Sequence, residues 1–260
     1  MIGAIAGDII GSIYEHYPTK SKEFPLFDAS CQFTDDTVLT VAVADTLLDD
    51  GAGGDYAAGF RRYYRLYPDA GYGGAFHIWA RSASRGPYNS FGNGSAMRVG
   101  PVAFAFDDLN EVRSEARRSA EVTHNHPEGV KGAEATASAV FLARTGQPRN
   151  KIRTYIEREF GYDLSRTPDE IRPNYSFDVT CQGTVPAAFA CFLNAQDYED
   201  AVRTAISLGG DSDTLACIAG GMAGAFWGVP DWIRAEADKR LDDHLKAVIA
   251  RFAARFPSAA

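Results

Sequence analysis

A chain of 260 residues that is 45% hydrophobic and 23% charged has room for one large domain or two small ones, with the composition of an ordinary globular protein. Its 34 acidic and 26 basic residues leave a formal charge of -8, which argues against a general nucleic-acid or anionic-membrane binder. Four scattered cysteines without C-x-x-C spacing give neither a disulfide framework nor a zinc site.

In chain order, the first element is a glycine-marked apolar helix in which Gly3, Gly7 and Gly11 recur every fourth residue. Residues at that spacing share one helix face, and without side chains they admit a second backbone. The stretch Met1 to Asp8 has no basic n-region and carries an aspartate inside the apolar run, so it does not read as a secretory signal. With no uncharged run long enough to span a membrane, a cytoplasmic monomer is the expectation. Asp8, if buried, needs hydrogen-bonding partners and reads as structural. Thr34-Asp35-Asp36-Thr37 then opens an alanine-rich run over Val38–Leu48. After a glycine-rich turn at 49–55, Pro68–Gly74 joins two helical stretches, with Tyr72, Gly73, Gly74 and Phe76 as possible pocket residues.

The longest irregular piece, Arg81–Gly94, leads into Asn89-Ser-Phe-Gly-Asn-Gly-Ser-Ala-Met-Arg98. That glycine-broken turn exposes backbone N–H groups suited to phosphate oxygens, or it is an ordinary helix cap. Arg98 either adds charge there or anchors the core. Charges spaced over Leu109–Val122 predict an exposed amphipathic helix. His124 and His126 precede a proline-started, alanine-rich helix over Gly129–Arg144; without a suitably spaced third ligand they do not make a zinc site. Helical periods continue at Ile152–Phe160, Pro186–Leu193, Tyr198–Leu208 and, as one long surface helix, Ala235–Phe256. Gly161–Asn174 reads as irregular, and Tyr175–Thr180 is the one brief strand candidate. No repeat or composition break marks a second domain, so one all-α domain over 1–260 is expected.

Near the end, Gly209-Gly-Asp-Ser-Asp-Thr214 introduces a second glycine-faced run with Gly220, Gly224 and Gly228. Each acidic motif by itself is explained by helix capping. Capping needs one oxygen, however, and both motifs carry a second carboxylate that would repel the first unless a cation intervenes. Oxygen-only donors suit Mg²⁺ or Mn²⁺, and four carboxylates suffice for two such ions. The two glycine faces predict that the first and second runs cross, which would bring Asp211 and Asp213 beside Gly11-Ser-Ile-Tyr-Glu15.

The motifs Gly3–Glu15, Phe33–Thr37, Gly92–Arg98, Thr123-His124 and Gly209–Thr214, in that order, resemble the ADP-ribosylglycohydrolase family, and the resemblance spans nearly the whole chain. It implies an all-α orthogonal multi-helix bundle with a binuclear Mg²⁺ or Mn²⁺ centre. Thr34, Asp35, Asp36, Asp211, Asp213 and Thr214 match its metal ligands. Glu15 matches a mobile glutamate, and it joins Asp35 and Asp36 as the expected catalytic acids and bases. Ser90, Phe91, Gly92, Asn93, Gly94 and Ser95 match the turn that cradles the diphosphate and ribose, with His124 close by. The implied reaction is hydrolysis of the C1″ bond of an ADP-ribosylated protein or a small ADP-ribose conjugate. The alternative is a non-enzymatic relative that keeps the fold.

Overall fold

The computed structural model describes residues 1–257. Among these, every regular element is helical: α1 (Ile2–Gly11), α2 (Asp35–Asp50), α3 (Tyr56–Leu66), α4 (Gly74–Ala80), α5 (Gly94–Met97), α6 (Val102–Ala105), α7 (Leu109–Glu121), α8 (Pro127–Arg144), α9 (Arg149–Phe160), α10 (Pro168–Ile171), α11 (Cys181–Asn194), α12 (Tyr198–Ile206), α13 (Ser212–Trp227), α14 (Asp231–Asp238) and α15 (Asp243–Arg255).

At the centre lie α1 and α13. All ten residues of α1 are buried, as are the first twelve of α13, and helices apolar on every side belong in a core. Their glycine faces meet as the spacing predicts. A Cβ on Gly3 or Gly220 would collide with the other's carbonyl, and one on Gly7 would collide with the Ala216 carbonyl. One on Gly11 would lie 2.6 Å from the Asp213 Cα. The Tyr198 hydroxyl of α12 donates to the Gly3 carbonyl at 2.8 Å and closes the crossing from the side. Gly228 differs from its expected partners in the stripe: it ends α13 at φ +80° with nothing near its missing side chain, so it is a terminator and not a packing residue.

Around this pair, α8 is the second central helix, with thirteen of its eighteen residues buried. Amphipathic α7 lies outside it, capped by Asp108, whose carboxylate accepts from the Asn110 and Glu111 amides. α11 begins at Cys181, five residues before the expected Pro186, because Thr180 caps it by accepting from the Gly183 amide. The expected C-terminal helix Ala235–Phe256 is two helices. The first ends at Asp238, and Asp242 caps α15 by accepting from the Leu245 amide at 2.8 Å. The irregular 161–174 holds α10, closed by a capping box between Thr167 and Glu170.

Tyr175–Thr180 is extended but forms no strand. It touches the glycine turn through a single bridge between Gly92 and Thr180. The Asn93 amide donates to the Val179 carbonyl at 2.7 Å and the Cys181 amide to the Phe91 carbonyl at 2.9 Å. That short ladder sets two loops side by side over the buried end of α13. None of the described helices is long and apolar enough to cross a membrane.

Candidate functional site

The N-termini of α2 and α13 converge beside the C-terminus of α1, and Asp8 is the fastener. Its fully buried carboxylate accepts from the Thr34 amide at 3.0 Å, the Thr34 hydroxyl at 2.6 Å, the Thr37 amide at 3.1 Å and the Thr37 hydroxyl. Four donors satisfy a buried carboxylate, so the structural reading of Asp8 fits. Thr34 is correspondingly busy: besides donating to Asp8, its hydroxyl caps α2 by accepting from the Asp36 amide at 3.3 Å.

Two acidic clusters form at this junction. Carboxylate oxygens of Asp8, Asp36 and Asp213 lie within 4.8 Å of one another, and so do those of Glu15, Asp211 and Asp213. Thr214 ties the motifs together, its hydroxyl donating to Asp36 Oδ2 at 3.4 Å and its amide to Asp213 Oδ1 at 2.9 Å. Asn93 reaches in from the glycine turn. Its amide nitrogen donates to Asp211 Oδ2 at 2.7 Å and to the Thr184 hydroxyl at 3.1 Å. Asp35 faces the same space but belongs to neither three-carboxylate cluster.

The electrostatics are those of anions held together without compensation. Burial, then the charges of Asp8, Asp35 and Asp211, hold the Asp36 carboxyl well above the usual carboxylate range. Asp213 is raised by burial and by Asp36 and Asp211. Asp35 is pushed up to about 8 by burial and by Asp8, Asp211 and Glu15. Glu15, at the edge, is raised by burial and Asp211 against a lowering from His16, whose Nδ1 is 3.5 Å away. Asp36 Oδ1 is buried with no hydrogen-bond partner. An orphaned carboxylate oxygen among oxygen-only donors of like charge is chemistry that a hard divalent cation completes. The residues present could therefore hold a metal ion.

These acids floor a cavity of about 830 Å³, a volume suited to a ligand larger than a single sugar. Of the residues named from the sequence, Glu15, Thr34, Asp35, Asp36, Ser90, Gly92, Asn93, Gly94, His124, Asp211, Asp213 and Thr214 all line it. Two do not. Ser95 is fully buried behind the wall, donating to the Gly129 carbonyl at 2.7 Å. Phe91 turns outward, 45% exposed, with its ring 5.3 Å from that of His126. His126 itself caps α8 by accepting from the Glu128 amide.

The other walls were not assigned to the site from sequence. Phe33, Tyr67, the loop 68–71, Tyr88, Phe177 and Val179 complete them. Of these, only the brief extended pattern at 175–180 left any trace; a lone aromatic reads as core until the fold places it.

The chain matches the family model described as ADP-ribosylglycohydrolase over residues 1–259. ADP-ribosylhydrolase ARH3 of Homo sapiens is 28% identical, the match covering 88% of this chain and 84% of that protein. ADP-ribosylarginine hydrolase Tri1 of Pseudomonas putida (strain GB-1) is also 28% identical, over 90% of this chain and 72% of that protein. A solved structure described as an ADP-ribosylglycohydrolase-related protein complex superposes with a TM-score of 0.75 at 24% identity, covering 100% of this chain and 97% of that one. That likeness establishes a shared fold.

Proposed function

From the premise that the chain belongs to the ADP-ribosylglycohydrolase family, we propose that it hydrolyses the C1″ glycosidic bond of ADP-ribose conjugates and releases ADP-ribose. The observation that carries this reading is the partnerless Asp36 Oδ1 among buried acids at the floor of an 830 Å³ cavity. Relatives named as hydrolases of ADP-ribosyl groups support it.

Asp36, Asp211 and Asp213 would hold two divalent cations, with Thr34, Thr214 and Asp35 completing the set. Such cations supply positive charge that keeps the acids ionised and orients hydroxyl groups at neutral pH. The chain's own residues do the rest. Asn93 fixes the face that Asp211 presents. The glycine turn Gly92–Gly94 lets the ligand approach backbone N–H groups closely. Phe33, Tyr88 and Phe76 narrow the cavity and exclude bulk water. Water replaces the leaving group at C1″ as the C1″–O or C1″–N bond breaks; the leaving atom gains one proton and water loses one. Asp35 and Glu15, which line the cavity beside these acids, would carry these protons, and surrounding carboxylates would stabilise positive charge developing on the sugar.

Incubation with ADP-ribosylated arginine, ADP-ribosylated serine and O-acetyl-ADP-ribose, with Mg²⁺, with Mn²⁺ or with chelator, tests the proposal. Release of free ADP-ribose from at least one, abolished by chelator, is expected. No release from any of them under either metal sinks it in favour of a non-enzymatic relative.

A further inference from the structure

His124 is nine-tenths buried and lines the cavity, yet among the described residues only one of its ring nitrogens has a partner. Nδ1 lies 2.7 Å from the Thr123 hydroxyl. The same hydroxyl oxygen accepts from Arg98 Nη2 at 2.8 Å. Arg98 is fully buried and, among the described residues, has no carboxylate in hydrogen-bonding reach; it rests on the Phe60 ring at 4.2 Å and donates also to the Ser119 carbonyl. Nε2, the other nitrogen, faces the glycine turn: a Cβ on Gly94 would lie 3.3 Å from it and one on Gly92 3.6 Å.

Proton counting along this file selects one arrangement. A guanidinium only donates, so Thr123 Oγ1 is its acceptor. If the hydroxyl accepted a second time, from an Nδ1–H, its own proton would have no acceptor among the described residues. With Nδ1 accepting and the proton of the neutral imidazole on Nε2, every group in the file is satisfied. Burial and the Arg98 charge both hold the ring in its neutral form. Gly92 and Gly94 leave that N–H uncovered towards the cavity.

We propose that Arg98 and Thr123 form a relay that fixes His124 as an Nε2–H donor into the cavity, to a phosphate or ribose oxygen of the ligand. His124 is then a directional donor and not a general base, and Thr123 and Arg98 are positioning residues. The nature of the acceptor rests on the ADP-ribose reading of the site; the tautomer does not.

Two measurements test this on the full-length protein. Long-range ¹H–¹⁵N correlation of histidine-labelled protein at neutral pH is expected to show His124 as the Nε2–H tautomer, in Thr123→Ser as in the parent, and a mixed population in Thr123→Val. Calorimetry with ADP-ribose in Mg²⁺ is expected to give about tenfold weaker binding for Thr123→Val and recovery in Thr123→Ser. An Nδ1–H tautomer in the parent protein overturns the relay even if no variant folds. So does Thr123→Val with unchanged tautomer and affinity. The Nε2–H tautomer in a parent protein that binds no ADP-ribose sustains the relay and removes the functional reading instead.

Discussion

Asp36, in the first turn of α2, and Asp211, the N-cap of α13, are held differently. Asp36 has one oxygen shared with Thr214 and one with no partner, whereas Asp211 is gripped by Asn93. Asp36→Asn removes charge where a cation is needed; activity is expected to fall by about a hundredfold or more, with the helical circular dichroism unchanged. Normal turnover in that variant would remove Asp36 from the site. Asn93 was expected from the sequence to meet the ligand, and its bond to Asp211 gives it a second task. Asn93→Ala should weaken divalent-cation affinity by ~10–100-fold, as side chains that orient metal ligands do. Calorimetric titration with Mn²⁺ reads this directly, and an unchanged affinity would confine Asn93 to the ligand. Asp8 belongs to stability instead. Asp8→Ala leaves two amides and two hydroxyls of Thr34 and Thr37 without their acceptor, a loss of about 3 kcal/mol or more in urea unfolding.

At the scale of elements, the site exists because α1 and α13 touch backbone to backbone. A glycine inside a helix costs about 1 kcal/mol against alanine, so Gly7→Ala would stabilise an isolated α1. In the folded protein its Cβ collides with the Ala216 carbonyl, and the balance reverses. Gly7→Ala is expected to destabilise by about 1–3 kcal/mol, while Gly86→Ala, with open space and ordinary backbone angles, stays within about 0.5 kcal/mol. Equal denaturant midpoints for the two would mean that the crossing tolerates a wider spacing. The crossing was legible in the sequence because glycine at every fourth position weakens a helix unless a second backbone packs against that face. The division of the last helix was not: Ala235–Phe256 keeps its helical period across the break, where α14 ends at Asp238 and Asp242 caps the start of α15.

For the whole molecule, the raised carboxyls make stability depend on pH and cations together. Asp35 rises from 3.8 to about 8 on folding, so between those values the native state binds a proton that the unfolded chain has released. Stability from such a group is complete below the unfolded value and is lost as pH rises through the folded one. Asp36, Asp213 and Glu15 shift the same way. His124 and the buried Met1 amino group, both held below their ordinary values, act oppositely, but with Asp8 raised as well they are two groups against five. In chelator, Tm should therefore fall as pH is raised from about 5 to about 8, and saturating Mg²⁺ should raise Tm most at the upper end. A Tm that rises with pH in chelator, or ignores Mg²⁺, would contradict this charge balance. What the sequence determined by itself was local: helix periods, the cap in Thr34–Thr37, the doubled acids of Thr34–Thr37 and Asp211–Thr214, and the glycine faces that pair α1 with α13. Contiguous residues encode these, since a cap or a helix face is complete within a few turns of chain. Only the tertiary structure decided that Asp36 keeps an unpartnered oxygen, that Ser95 and Phe91 point away from the cavity, and that Arg98, Thr123 and His124 form a single file. Those outcomes depend on where helices distant in sequence cross, and the distances that fix them are set by packing and not by spacing along the chain.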